Sequence, residues 1–317
     1  MQPINLHTKP HRKIFWGIPV VAVVLFAVTA AVIGFKLTPL VLAGESSKGA
    51  LPPGVITKEP AKSFTEHVAK INASPEFFAA LAKQPDKNSV INLNLLRYRP
   101  RGDSTTYDKY GAVAGPEILA IGGDIVLHGH LDTKANKVFE FDDTWDGLAF
   151  VLYPRRSSYL QLQRSEAYQA GITDRVAGTY ERLLYVISDG EAIFDASYSI
   201  DGLHKGGKRI AFKEGNVFVS QLLRFKKPDG RKSYERFAKE FSKIIKKHGG
   251  EAILSVRAEM PIVTEEYWDH FVTFRYPSKE ALKKMYDSDE FHEANLHRIN
   301  ALDGTISVLA EPTPLPE

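Results

Sequence analysis

Apolar side chains along this chain change their spacing twice. Residues 14–35, IFWGIPVVAVVLFAVTAAVIGF, carry no charge, and Thr29 is the one clearly polar side chain among them. A run of about 20 apolar residues can cross a bilayer as a helix, and Pro19 near its start is tolerated there. Residues 36–60 have no period. Pro39, Pro52, Pro53 and Pro60 alternate with Gly44, Gly49 and Gly54, the composition of an extended tether. From residue 61 the apolar positions recur at helical or strand spacing. Phe64, Val68 and Ile71 lie on one helical face. Ser74, Pro75 and Glu76 read as an N-cap, a first-turn proline and a first-turn acid, so two short helices are predicted over residues 61–84.

The patterns that follow are written twice. SVINLNLLRYRP (residues 89–100) and NVFVSQLLRFKK (residues 216–227) both read as strands. Tyr107 then matches Tyr234, Tyr110 matches Phe237, and Gly122–Gly123 matches Gly249–Gly250, at a constant offset: 224−97, 234−107 and 249−122 all give 127. Between tyrosine and glycines lies a helix, clearest where Phe237, Phe241, Ile244 and Ile245 share a side, and the double glycine suits its C-cap. DIVLHGHL and EAILSVRAE are second strands. After a variable polar hairpin, WDGLAFVLYP and WDHFVTFRYP are third strands, offset by 268−145 = 123. A second helix follows each, pairing Ser165 with Ser288, Tyr168 with Phe291 and Arg175 with Arg298, and a last strand ends each copy. Each copy therefore reads β-α-β-β-α-β, a split ferredoxin-like unit. Such a sheet buries one face under its helices and leaves the other bare. Two copies in one chain can hide those faces against each other at high effective concentration.

The expected organisation is a tail over 1–13, a membrane span over 14–35, a linker over 36–60 and a helical lead-in over 61–88. A first module over 89–188, a connector over 189–213, a second module over 214–311 and a tail over 312–317 complete it. Charge adds orientation. Lys9, Arg12 and Lys13 precede the span, and only Lys36 and Lys48 follow nearby, which keeps the N-terminus inside and the main domain outside the inner membrane. A cleaved signal peptide is the competing reading, with LVLAG at residues 40–44 as the cleavage site. With 41 basic against 38 acidic side chains there is no electrostatic case for a nucleic-acid partner. The absence of cysteine excludes disulfides and thiolate chemistry.

LLRY and LLRF on the first strands, the GG turns, the WD strands ending in Tyr-Pro, and the S-x-x-Y/F helices ending in Arg175 or Arg298 resemble the dimeric α/β-barrel superfamily. Within it the chain is most similar to the branch catalogued as DUF1330, over residues 88–188 and 214–310. Members of that branch are commonly single modules that dimerise, so the resemblance implies an α+β fold: two tandem ferredoxin-like modules packed sheet to sheet as an intrachain barrel. The superfamily includes cofactor-independent monooxygenases, haem enzymes, isomerases and binding modules. It fixes no reaction here.

In such a barrel the face away from the helices is expected to line a lumen, so polar residues there are candidates for ligand contact. Strand alternation offers Asn92, Asn94, His128, His130 and Asp132 in the first copy, and Gln221 and Arg257 in the second. His128 and His130 on one strand face could ligate a metal with Asp132, or act as a base. Surface placement near the strand end is the bland reading of the same pair. No triad spacing, phosphate loop, dinucleotide fingerprint or HExxH motif occurs, and no cofactor is expected. The expectation is a membrane-anchored binding or interaction module holding a small ligand in the lumen. A small-molecule oxygenase or isomerase without organic cofactor, and a structural subunit contacting a membrane-protein partner, are the alternatives.

Overall fold

A computed structural model of the protein describes residues 64–264 and 266–315. Two helices, α1 (Phe64–Ile71) and α2 (Pro75–Leu81), lead in; Ser74 caps α2 by accepting from Phe77 N at 3.1 Å. The first module runs β1 (Val90–Tyr98), α3 (Thr105–Ala120), β2 (Asp124–Leu131), α4 (Thr133–Val138), β3 (Gly147–Tyr153), α5 (Arg156–Leu162), α6 (Glu166–Gly178), β4 (Thr179–Ser188). After α7 (Ile200–Gly206), the second runs β5 (Val217–Phe225), α8 (Gly230–Lys247), β6 (Glu251–Val263), β7 (His270–Tyr276), α9 (Lys279–Tyr286), α10 (Asp289–Ala301), β8 (Leu302–Pro312). The eight strands close into one barrel in the order β1-β3-β2-β8-β5-β7-β6-β4.

The repeated tetrads and the WD pairs are two halves of one device. Pairing slips after Arg97 and again after Arg224, leaving the next strand N–H without a ladder partner. Asp146 supplies it: its Oδ2 accepts from Tyr98 N at 2.9 Å, and Asp269 Oδ2 accepts from Phe225 N at 2.8 Å. The GG and Tyr-Pro motifs are also coupled. Gly122 and Gly249 take φ of 78° and 74° to end α3 and α8, where glycine avoids the Cβ penalty. Their neighbours are small for a different reason: a Cβ on Gly123 would lie 2.7 Å from Leu152 O, and one on Gly250 2.7 Å from Ile245 Cγ1. Ser165 and Ser288 cap α6 and α10 through Tyr168 N and Phe291 N.

The two sheets do not face each other as separate layers. They join at their edges, β2 to β8 and β4 to β6, so no strand edge stays unpaired. Apolar side chains fill the interior. Ile91, Leu93, Leu95, Leu148, Phe150, Leu183, Tyr185, Phe218, Leu222, Leu254, Val256, Phe271, Ile306 and Val308 form one buried cluster drawn from both modules. Phe150 and Phe271 meet edge to face at 5.5 Å. An eight-stranded barrel is just wide enough for its side chains to fill it. The connector adds a plug, with Ile200, Leu203 and Ile210 joining the same cluster. Two further clusters lie between each half-sheet and its helices.

One buried ion pair bolts the halves together. Arg156 on α5 donates Nε and Nη2 to Glu259 on β6 at 2.7 and 2.5 Å, with the two side chains 8% and 6% exposed. Among the described residues no helix is long and apolar enough to cross a membrane. The expected span at 14–35 and the tether at 36–60 lie outside the described residues.

Candidate ligand cleft

The expected lumen residues lie on the other side of the barrel wall. On β1, Ile91, Leu93 and Leu95 fill the interior, so alternation turns Asn92 and Asn94 outward, under the helices. Asn94 donates to Asn92 O at 2.8 Å, and its Oδ1 sits 3.5 Å from Arg182 Nη2. Gln221 likewise faces outward and donates to Ser307 Oγ at 3.0 Å. His128 pairs across the sheet with Ala149, whose neighbours Leu148 and Phe150 point inward, so His128 too is outside. Its ring centre is 5.9 Å from that of His130, and burial together with His130 holds its pKa below the ordinary value. Arg257 is largely exposed and donates to Glu259 at 2.9 Å.

The physical reason for this inversion is volume. Closing the barrel requires large apolar side chains inside, which leaves the polar ones for the helix-covered face. No hydrogen bond joins any two of Asn94, His128, His130 and Arg257 among the described residues. Asp132 is engaged elsewhere: Oδ1 caps α4 through Lys134 N and Ala135 N, and Oδ2 accepts from Lys279 at 2.6 Å. The proposed metal set thus loses its third member, and no group of three or more His, Asp or Glu side chains placed for a metal occurs among the described residues.

A cleft of about 510 Å³ opens instead on the outer face of the second module. Its floor is β8, presenting Thr305 and Ser307. One wall is α9 and α10, with Tyr286, Phe291, His292, Asn295 and Arg298; the other is residues 138–142, sent across from the first module. Asn136 pins that crossing segment. It is fully buried, its Oδ1 accepts from Leu309 N at 2.7 Å and its backbone O accepts from Phe141 N at 2.7 Å. Asp142 N then donates to Ser307 O at 2.8 Å. Glu140 between them holds a left-handed φ of 56°, unusual for a residue with a side chain and found most often where a site imposes it.

The walls are aromatic. Phe139 and Phe141 stack at 5.6 Å, each meets the Tyr286 ring edge at 5.3 and 5.6 Å, and Tyr286 lies 4.6 Å from Phe291. Among the described residues, five charged side chains line this surface: Glu140, Asp142, Lys283, Asp287 and Arg298. Arg298 donates Nε to Asn295 Oδ1 at 2.6 Å and meets no carboxylate among the described residues. Asp142 is 4% exposed; burial pushes its carboxyl above the ordinary range, offset only in part by Thr144, whose N donates to Oδ1 at 2.8 Å. Lys283 and Asp287 pair with each other at 2.5 Å on the rim.

Sequence reading passes over this site because residues 133–142 look like a variable polar hairpin. The usable signal was the aromatic pair Phe139 and Phe141 beside two acids, in a segment far longer than a tight turn requires.

Residues 221–312 match the family described as domain of unknown function DUF1330. The second module is thus DUF1330-like. The cleft is built on this DUF1330 match, with its outer wall borrowed from the other half. No curated protein matches the chain. Among solved structures, an anthrone oxidase-like protein is 11% identical over 72% of this chain and 92% of its own, with a TM-score of 0.47. A mutant chlorite dismutase from Candidatus Nitrospira defluvii is 10% identical over 73% and 93%, TM-score 0.43. A protein of unknown function from Rhodopseudomonas palustris is 22% identical over 38% and 97%, TM-score 0.34. The eight-stranded α+β barrel places the chain with the dimeric α/β-barrel proteins by fold.

Proposed function

We propose that this protein is a binding module for a small aromatic anion, taken up in the cleft of the second module, and that residues 14–35 anchor it in the inner membrane with the barrel outside. The observation that carries the ligand reading is Arg298: a guanidinium with no carboxylate partner among the described residues, on the wall of an aromatic-lined cleft. A planar ring would pack against the open side of the Phe139, Phe141 and Tyr286 cluster, and its acidic group would pair with Arg298 in a charge-assisted bond. Asn295, which already accepts from Arg298 Nε, fixes the direction of the guanidinium.

The probe is 1-naphthoate, titrated into the full chain and followed by its fluorescence. Binding should be saturable, 1-naphthalenemethanol should bind less tightly, and Arg298→Ala should weaken naphthoate by about tenfold or more, the loss expected for a charged hydrogen bond. Equal affinity for acid and alcohol, or an unchanged affinity in Arg298→Ala, refutes the assignment. Asp142 supports one enzymatic reading. A carboxyl whose pKa burial raises, beside a bound aromatic acid, is suited to proton transfer in an isomerisation.

A further inference from the structure

The helix-covered face of the first module is chemically unlike its twin. Tyr98, Tyr110, Tyr159 and Tyr168 stand where the second module has Phe225, Phe237, Leu282 and Phe291, and Arg182 stands where it has Thr305. Arg175 and Arg182 are 5% and 4% exposed. Arg175 donates to Tyr168 Oη at 2.9 Å and to Asn72 Oδ1 at 2.6 Å, with its Cζ 5.3 Å from the Tyr110 ring centre. Arg182 donates to Ile71 O at 2.9 Å and, more loosely, to Asn94 Oδ1 at 3.5 Å. The Nε of each has no partner, and neither guanidinium meets a carboxylate among the described residues. Both act on the Tyr107 hydroxyl, so they share one neighbourhood.

Burying two like charges without a counter-charge is costly. The oxygens that now answer them are neutral: Tyr168 Oη, Asn94 Oδ1 and, from the end of α1, Ile71 O and Asn72 Oδ1. Ile71 closes that helix, so its carbonyl belongs to the partly negative, unpaired C-terminal set, and Asn72 follows directly. The end of α1 therefore sits on the arginine pair as an uncharged substitute for an anion. Among the described residues α1 is also held by the buried Ile71 side chain, by His67 Nε2, 3.3 Å from Val176 O, and by the His67 ring tilted against that of Tyr180 at 6.4 Å.

We propose that Arg175 and Arg182 form a binding site for a small carboxylate or phosphate in the first module, and that the anion binds by replacing Ile71 O and Asn72 Oδ1, releasing α1. An ionised acceptor gains more from a guanidinium than a neutral one does, which is what drives the exchange. The site is separate from the aromatic cleft and shares no side chain with it.

The test uses the full-length chain in detergent, titrated with sodium phosphate and separately with sodium acetate, against sodium chloride at matched ionic strength. Amide exchange is followed over residues 64–81. Exchange over 64–72 should rise saturably by about tenfold or more with phosphate or acetate but not with chloride. In Asn72→Ala, which removes one competing acceptor, the midpoint should move to lower anion concentration. In Arg182→Thr, which installs the residue of the second module, the response should vanish. Should that variant fail to fold, Arg182→Lys keeps the charge, loses the fork, and should weaken the response. The anion with the lower midpoint identifies the class. An equal rise in Arg182→Thr, or no saturable rise in both wild type and Asn72→Ala, overturns the site. Tyrosinate absorbance at neutral pH without any anion effect would assign the neutralising charge to Tyr168 and overturn it as well.

Discussion

His270 is wholly buried, with Nε2 2.9 Å from Ser255 Oγ and Nδ1 unpartnered among the described residues. Burial, reinforced by the positive charge of Arg231, pulls its pKa from 6.5 down to about 3. The fold thus prefers the neutral ring. That preference contributes fully above the unfolded value and is lost as pH falls toward the folded one. Between about pH 7 and about pH 5 the wild type should lose about 2 kcal/mol more stability than His270→Gln, judged from urea midpoints. Parallel losses in the two proteins would clear His270 of the role. At this scale the sequence was only half legible. Alternation in β1 separates Ile91, Leu93 and Leu95 from Asn92 and Asn94, but both sets are buried, so the pattern alone does not say which one faces inward. The deciding quantity, the volume inside a closed barrel, belongs to no single strand.

Between elements, one close fit is the seam of β2 and β8. Gly129 pairs with Pro312, and a Cβ there would lie 2.5 Å from Glu311 O, a backbone atom that cannot swing aside. Gly129→Ala should therefore destabilise the protein by about 1–3 kcal/mol, the usual cost of overpacking. Thermal unfolding reads this directly, and a melting point unchanged from wild type would mean that the seam is looser than its geometry. The long elements were readable because their motifs are local. WD answers a slipped strand N–H, GG ends a helix beneath Tyr-Pro, and serine caps the next helix. The short helices α4 and α7 were not, since six or seven residues carry too little period and their burial depends on the distant β8 and on the barrel end.

For the whole molecule, the duplication in the sequence was enough to foresee two bare sheets covering each other, and the resemblance supplied the barrel; that the sheets close it by pairing at their edges, β2 to β8 and β4 to β6, was not legible. The cleft could not be foreseen, since residues 138–142 of one half finish a site on the other. The membrane anchor rests on the uncharged run at 14–35 and the basic residues before it. A C-terminal alkaline phosphatase fusion should be active in intact cells, and a C-terminal green fluorescent protein fusion exported by the same route should stay dark. The reverse pattern would place the barrel in the cytoplasm. In either orientation, the joining of both halves in one polypeptide has a hereditary consequence. A homodimer receives every substitution in duplicate, so it cannot acquire a phenol-and-arginine pocket on one side while keeping a phenylalanine-lined recess on the other. The connector that plugs the barrel end also freed the two genes' worth of surface to specialise independently, and a search for the ancestor of this protein should look for a self-pairing chain the length of one module.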